Sequence, residues 1–183
     1  MIAVRHEKTT DAAAREALLD AAYGPVRFTK PSARLRGSRA PARGLSFVAV
    51  EGGHLIGTVR LWDVAAGPDL PALLLGPLVV DTAVRNRGVG AALMRRALDE
   101  AKRRGHRAVL LVGDPAYYGR FGFSAAPTGG LWLPGLDDKS RLLGCELVSG
   151  ALEGARGTIR TPKESARRRL MAPIPALPTP RAA

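Results

Sequence analysis

A chain of 183 residues, 46% hydrophobic and 24% charged, suits one domain with a real core and would be cramped as two. No apolar run reaches the length of a membrane span and the opening Met1-Ile2-Ala3-Val4-Arg5-His6-Glu7 lacks the long apolar segment of a secretory signal, so cytoplasmic residence is expected. The single Cys145 excludes an internal disulfide and a cysteine-based zinc site, and no metal is expected; the formal charge of +12 would suit nucleic acid, an acidic substrate or cofactor phosphates.

Ile2, Val4 and His6 alternate with polar positions as a first strand would. Asp11 can cap a helix running through about Tyr23, with Leu18, Leu19 and Ala22 inward and Gly24-Pro25 as its stop. Val26 to Gly44 holds Arg27, Lys30, Arg34, Arg36, Arg39 and Arg43 and no acid. Such a run is either a solvated face or a cradle for an anionic acceptor. Leu45–Glu51 and His54–Trp62 read as two strands of a hairpin turning at Gly52-Gly53, followed by a loop over Val64–Pro71. The next strand, from Ala72 to Val80, contains Gly76-Pro77, and a proline that cannot donate to a ladder belongs at an edge or a bulge.

After that strand comes Arg85-Asn86-Arg87-Gly88-Val89-Gly90-Ala91, leading into an amphipathic helix. Val89, Leu93, Ala97 and Ala101 recur at i+4 with Met94 and Leu98 beside them; Arg95, Arg96, Asp99, Glu100, Lys102 and Arg103 take the other face. The first N–H groups of that helix have no intrahelical partner, and glycines at 88 and 90 clear the way for an anion to reach them. A Walker-type loop is excluded because Ala91-Ala92 follow Gly90, and a dinucleotide fingerprint because its third glycine would be Leu93. A buried strand, Ala108–Val112, then precedes Gly113-Asp114-Pro115-Ala116 and Tyr117-Tyr118-Gly119-Arg120-Phe121-Gly122-Phe123.

The Arg-x-x-Gly-x-Gly segment resembles the acetyl-CoA pyrophosphate loop of the GNAT superfamily of N-acetyltransferases. Tyr118 to Phe123 is similar to that family's Tyr-x-x-Leu-Gly-Phe ending, with Phe121 in place of the leucine. The resemblance covers residues 2 to 123 well and 124 to 150 loosely, and is nearest to a small bacterial branch with a Gly-Asp-Pro-Ala-Tyr-Tyr turn. It implies an α/β (α+β) fold: a mixed, mainly antiparallel central sheet with flanking helices and a V-shaped splay between the fourth and fifth strands. It implies that acetyl-CoA lies along the backbone of Leu78, Val79 and Val80, with its pyrophosphate on Arg85, Asn86, Arg87, Gly88, Val89, Gly90 and Ala91. A backbone N–H near Val79 would meet the thioester carbonyl, and Tyr118 would protonate the departing thiolate. The strand position where the family often carries a glutamate has no acid, leaving Asp63, Asp114, His54 or water as the base.

Leu131–Leu133 and Leu142–Val148 read as closing strands, and the resemblance implies that they end the sheet as an antiparallel pair at its far edge. Residues 1–150 are expected to form the GNAT domain and 151–183 a basic, proline-rich, largely disordered extension, in which Arg156 to Ala183 hold seven Lys or Arg against one Glu. The expected activity is transfer of an acetyl group to an amine of a small molecule or peptide, anionic if the basic run cradles it, by a monomer or homodimer. A cofactor-binding regulatory module that has lost the chemistry is the second reading. A nucleic-acid-binding protein is the third, disfavoured because the basic runs lack interleaved aromatics.

Overall fold

The computed structural model describes residues 1–68 and 70–162, and the alternating runs form its strands. These are β1 (Ala3–His6), β2 (Ser46–Glu51), β3 (His54–Ala66), β4 (Pro71–Val80), β5 (Ala108–Val112), β6 (Leu131–Trp132), β7 (Leu142–Glu146) and β8 (Gly157–Arg160). The helices are α1 (Ala12–Tyr23), α2 (Pro31–Arg36), α3 (Val89–Arg103) and the single turn α4 (Pro115–Tyr118). The strand order is β1-β2-β3-β4-β5-β7, antiparallel except for the β4–β5 pair, so the mixed, mainly antiparallel sheet is as expected.

Two apolar clusters cover the two faces of that sheet, because successive strand side chains point to opposite sides. Val59, Leu61, Leu73, Leu75, Val109 and Leu111 pack with Val89, Leu93, Met94, Ala97 and Ala101 of α3. Trp62, Val64, Leu74 and Leu110 pack instead with Leu35 of α2 and with Leu131, Leu133, Leu152 and Ile159 from the C-terminal part. Each such leucine or isoleucine contributes about 1.5–3 kcal/mol on burial.

Three expectations are corrected here. Val64 to Pro71 is not all loop: β3 runs on to Ala66 and β4 begins at Pro71, because the hairpin ladder continues through Val64–Ala72 and Ala65–Pro71. The segments at 131–133 and 142–148 do not pair with each other; β7 lies against β5, whereas β6 runs parallel to β8. The domain does not stop at 150, since Ala151, Leu152 and Ile159 are buried and β8 pairs with β3 at Ala65–Arg160 and Ala66–Ile159. The expected disordered extension falls mainly on residues 163–183, which lie outside the described ones.

The inward face of α1 also differs from its pattern. Leu19 and Arg15 are its buried residues, and Ala22 is exposed. Arg15 can be buried because its guanidinium pairs with Glu7 and Glu16, and Glu7 in turn takes Arg60 of β3. This network ties α1 to the sheet beside the site.

Candidate active site

The site opens where the sheet comes apart. β4 and β5 are in register only at Leu73–Val109 and Leu74–Leu110, so the β5-side edge of β4 is unpaired beyond Leu74. On its other edge β4 carries one extra residue: Leu61 faces Leu75 while Val59 faces Leu78, and the cis Gly76–Pro77 bond lies in that bulge. The proline therefore sits where no ladder bond is asked of it. The carbonyl of Leu78 accepts the hydroxyl of Tyr23, the last residue of α1, at 2.8 Å and so is turned away from β3. Because N–H and C=O of one strand residue project to the same edge and those of the next to the opposite edge, Leu78 and Val80 present their peptide groups to the gap. Val79, aligned with Thr58, turns its own toward β3, so the free N–H expected near Val79 belongs to its neighbours.

A cavity of about 580 Å³ runs from this edge to the start of α3, lined among others by Leu78, Val80, Arg85, Gly88, Gly90 and Tyr117. Asn86, Val89, Ala91 and Val79 also border it. Gly88 is the N-cap of α3, left-handed at φ 76°, with no side-chain cap and no acid in the first turn. The N–H groups of Val89, Gly90 and Ala91 are therefore free of intrahelical partners and favour an anion. A Cβ on Gly90 would stand 2.7 Å from the Tyr117 hydroxyl, so any side chain here would have to displace the Tyr117 tip. Arg87 is the exception among the expected residues: its side chain turns away to a bidentate pair with Glu51 at 2.7 and 2.8 Å and does not line the cavity.

A second cavity, of about 260 Å³, lies on the other side of Tyr118 between α1, α2 and the splayed strands. Tyr23, Leu78 and Tyr118 border both cavities, which puts the Tyr118 side chain at their junction. Burial pushes the Tyr118 hydroxyl up to about 12, with Tyr23 and Tyr117 adding to the rise and Arg141 opposing it. Its ring lies so close over Gly113 that a Cβ there would meet it at 2.2 Å.

The chain matches the model of the acetyltransferase (GNAT) family over residues 13–123. The chain belongs to the GNAT acetyltransferase family. It is 35% identical over 111 residues to the uncharacterised N-acetyltransferase YhbS of Escherichia coli, an alignment spanning 58% of this chain and 65% of that protein, just under two thirds of the relative's length. The crystal structure of E. coli YhbS in complex with CoA superposes with a TM-score of 0.74 at 30% identity, covering 92% of each chain. A GNAT acetyltransferase of Brucella melitensis in complex with acetyl-CoA superposes at 0.58 and 31% identity, over 69% of this chain and 84% of that one.

Against this GNAT frame, none of the three proposed bases, Asp63, Asp114 and His54, borders either cavity. Asp114 is occupied in capping α4 through the Ala116 N–H at 3.0 Å, and His54 is exposed at the β2–β3 turn. Glu16 is the one acid among the residues bordering the smaller cavity. Burial would raise its pKa, but hydrogen bonds from Arg15 and Arg27 outweigh that and hold it below the usual carboxylate range. Three bordering residues carry no local signal of their role. Tyr23 looked like a helix end, Trp62 like a plain strand residue although its Nε1 donates to the Gly76 carbonyl at 2.7 Å, and Arg120 like a turn cation although it stacks 4.2 Å from the Tyr117 centroid. Arg36 belongs to the basic run expected as either a solvated face or a cradle for an anionic acceptor, and nothing local singles it out among the six cations there.

Proposed function

We propose that this protein is an acetyl-CoA-dependent N-acetyltransferase in which the larger cavity takes the donor, the smaller one the amine, and Tyr118 works between them. The observation that carries the reading is a half-buried tyrosine, its hydroxyl pushed up to about 12, shared by an anion-ready cleft and a second, smaller pocket. The residues present fit the donor: free N–H groups at 89–91 for its phosphates, a glycine at 90 that no side chain could replace without meeting Tyr117, and an open strand edge at Leu78 and Val80 for its arm. Arg85 and Arg120 border the same cleft and add positive charge for the phosphates. When bound, the donor supplies an activated acetyl group.

Each protein group then has a defined task. The Leu78 N–H, on the unpaired edge, donates to the thioester carbonyl oxygen as negative charge grows there. The amine nitrogen forms the new C–N bond, the C–S bond breaks, and the Tyr118 hydroxyl gives its proton to the sulfur. Since Glu16 is held ionised by arginines, the proton lost by the nitrogen leaves through solvent and replaces the one Tyr118 gave. The amine therefore reacts in its neutral form.

Thiol release from acetyl-CoA with a panel of amines, together with calorimetric acetyl-CoA affinity, tests this. Tyr118→Phe keeps the ring, so affinity should stay within a few-fold while turnover falls by about 100- to 10,000-fold, and Tyr117→Phe should cost much less. Wild-type turnover in Tyr118→Phe, or greater damage in Tyr117→Phe, would remove Tyr118 from the chemistry. Tight acetyl-CoA binding with no turnover on any amine would favour the regulatory-module reading.

A further inference from the structure

The smaller cavity is bordered by three cations, Arg27, Lys30 and Arg36, and they are not equivalent. Arg27 is neutralised by Glu16 and Asp20 at 2.6 and 2.9 Å. Lys30 places its ammonium 4.0 Å from the centre of the Tyr23 ring. Arg36, at the end of α2, is half-buried, and its guanidinium makes neither a hydrogen bond nor an ion pair among the described residues. Its guanidinium reaches over β4: a Cβ on Gly76 would stand 3.5 Å from Nη1. Burial pushes its pKa below the ordinary arginine value, Tyr23 opposes the drop and Arg27 adds to it, yet an arginine stays charged at neutral pH.

A half-buried guanidinium with no protein partner is open to an anion in the cavity, and the planar fork is suited to a two-oxygen one. The cavity's acid does not fill that role, because Glu16 is committed to Arg15 and Arg27. The space is small, below the roughly 300–1,000 Å³ of a pocket for drug-sized ligands, so its occupant is amino-acid-sized or a chain end. The same cavity meets Tyr118, so an anion held at Arg36 leaves the far end of a short molecule facing the reacting centre.

We propose that the acceptor is a small amine bearing a carboxylate or phosphate, which Arg36 grips with Lys30 beside it while the amine points to Tyr118. This rests on the acetyl-transfer reading and narrows it to a substrate class. Two pairs of amines isolate the anionic group: β-alanine with propanolamine, and phosphoethanolamine with ethanolamine. Calorimetry on protein saturated with CoA reads acceptor binding without turnover. At least one anionic member should bind about tenfold or more tightly than its partner, as a charge-assisted contact gives, and the pair that does so distinguishes carboxylate from phosphate. Arg36→Gln should erase the preference and Arg36→Lys keep part of it, both with unchanged CoA affinity and melting temperature. Equal binding within both pairs, binding of no member, or a preference that survives Arg36→Gln overturns the proposal. If CoA affinity is intact in that outcome, the acetyl-transfer reading stands; if wild-type protein binds no CoA, that reading falls and this one with it.

Discussion

Tyr118 owes its position to a residue with no side chain. Gly113 follows β5 and precedes α4, and its missing Cβ lets the phenol ring pack close against the backbone, with Phe123 6.1 Å away in an edge-on contact. The resulting burial raises the hydroxyl from the ordinary 10.0 to about 12, and the sign of that shift has a kinetic consequence. A proton donor is active while protonated, so raising its pKa extends activity to higher pH. The acceptor amine must be neutral, which also favours high pH. The profile of kcat/KM against pH should therefore rise as the amine loses its proton and show no falling limb at the ordinary tyrosine value of 10. A falling limb at or below that pH, absent in Tyr118→Phe, would show that the hydroxyl titrates as if exposed.

At the scale of elements, α3 joins a legible part of the sequence to an illegible one. Its apolar stripe and its glycine start were readable because both are local: a 3.6-residue period and backbone groups without partners. Glu100, expected on the polar face of the helix, is instead 3% exposed. It is paired with Arg103 and Arg104, and Arg104 in turn reaches space left by Gly44, where a Cβ would stand 2.3 Å from the guanidinium carbon. No period in α3 could announce a glycine 60 positions upstream in another segment. The same holds for Tyr23 and Arg36, whose meaning comes from facing the bulge of β4, and for β8, four residues whose partners lie in β3 and β6. The N-terminus of α3 carries its own prediction. Gly90→Val puts a branched side chain at the helix start, its Cβ 2.7 Å from the present Tyr117 hydroxyl, so acetyl-CoA affinity measured by calorimetry should fall at least tenfold while the helix, whose buried stripe is untouched, stays formed by circular dichroism. Unchanged affinity in that variant would mean that the donor docks elsewhere.

Across the whole molecule, the C-terminal part closes the face of the sheet opposite α3, and this determines where the folded unit ends. The carboxylate of Glu146, just as β7 finishes, accepts the N–H groups of Gly150 and Leu152 at 3.1 and 2.7 Å, turning the chain back over the sheet. Leu152 and Ile159 are then 3% and 1% exposed, packed with Trp62, Val64 and Leu74, and β8 adds ladder bonds to β3. Removing two such side chains forfeits about 3–6 kcal/mol, a large part of the roughly 5–15 kcal/mol that holds a domain folded. A protein ending at residue 150 should therefore melt roughly 10 °C or more below one ending at residue 162. Residues 163–183, with prolines at 173, 175, 178 and 180, have the composition of a segment that adds no core, so the protein ending at 162 should melt with the full chain and keep its acetyl-CoA affinity. Equal melting of the two truncated proteins would mean that β8 and Leu152 contribute nothing to stability. A lower melting temperature for the 162-residue form than for the full chain would mean that the basic extension packs.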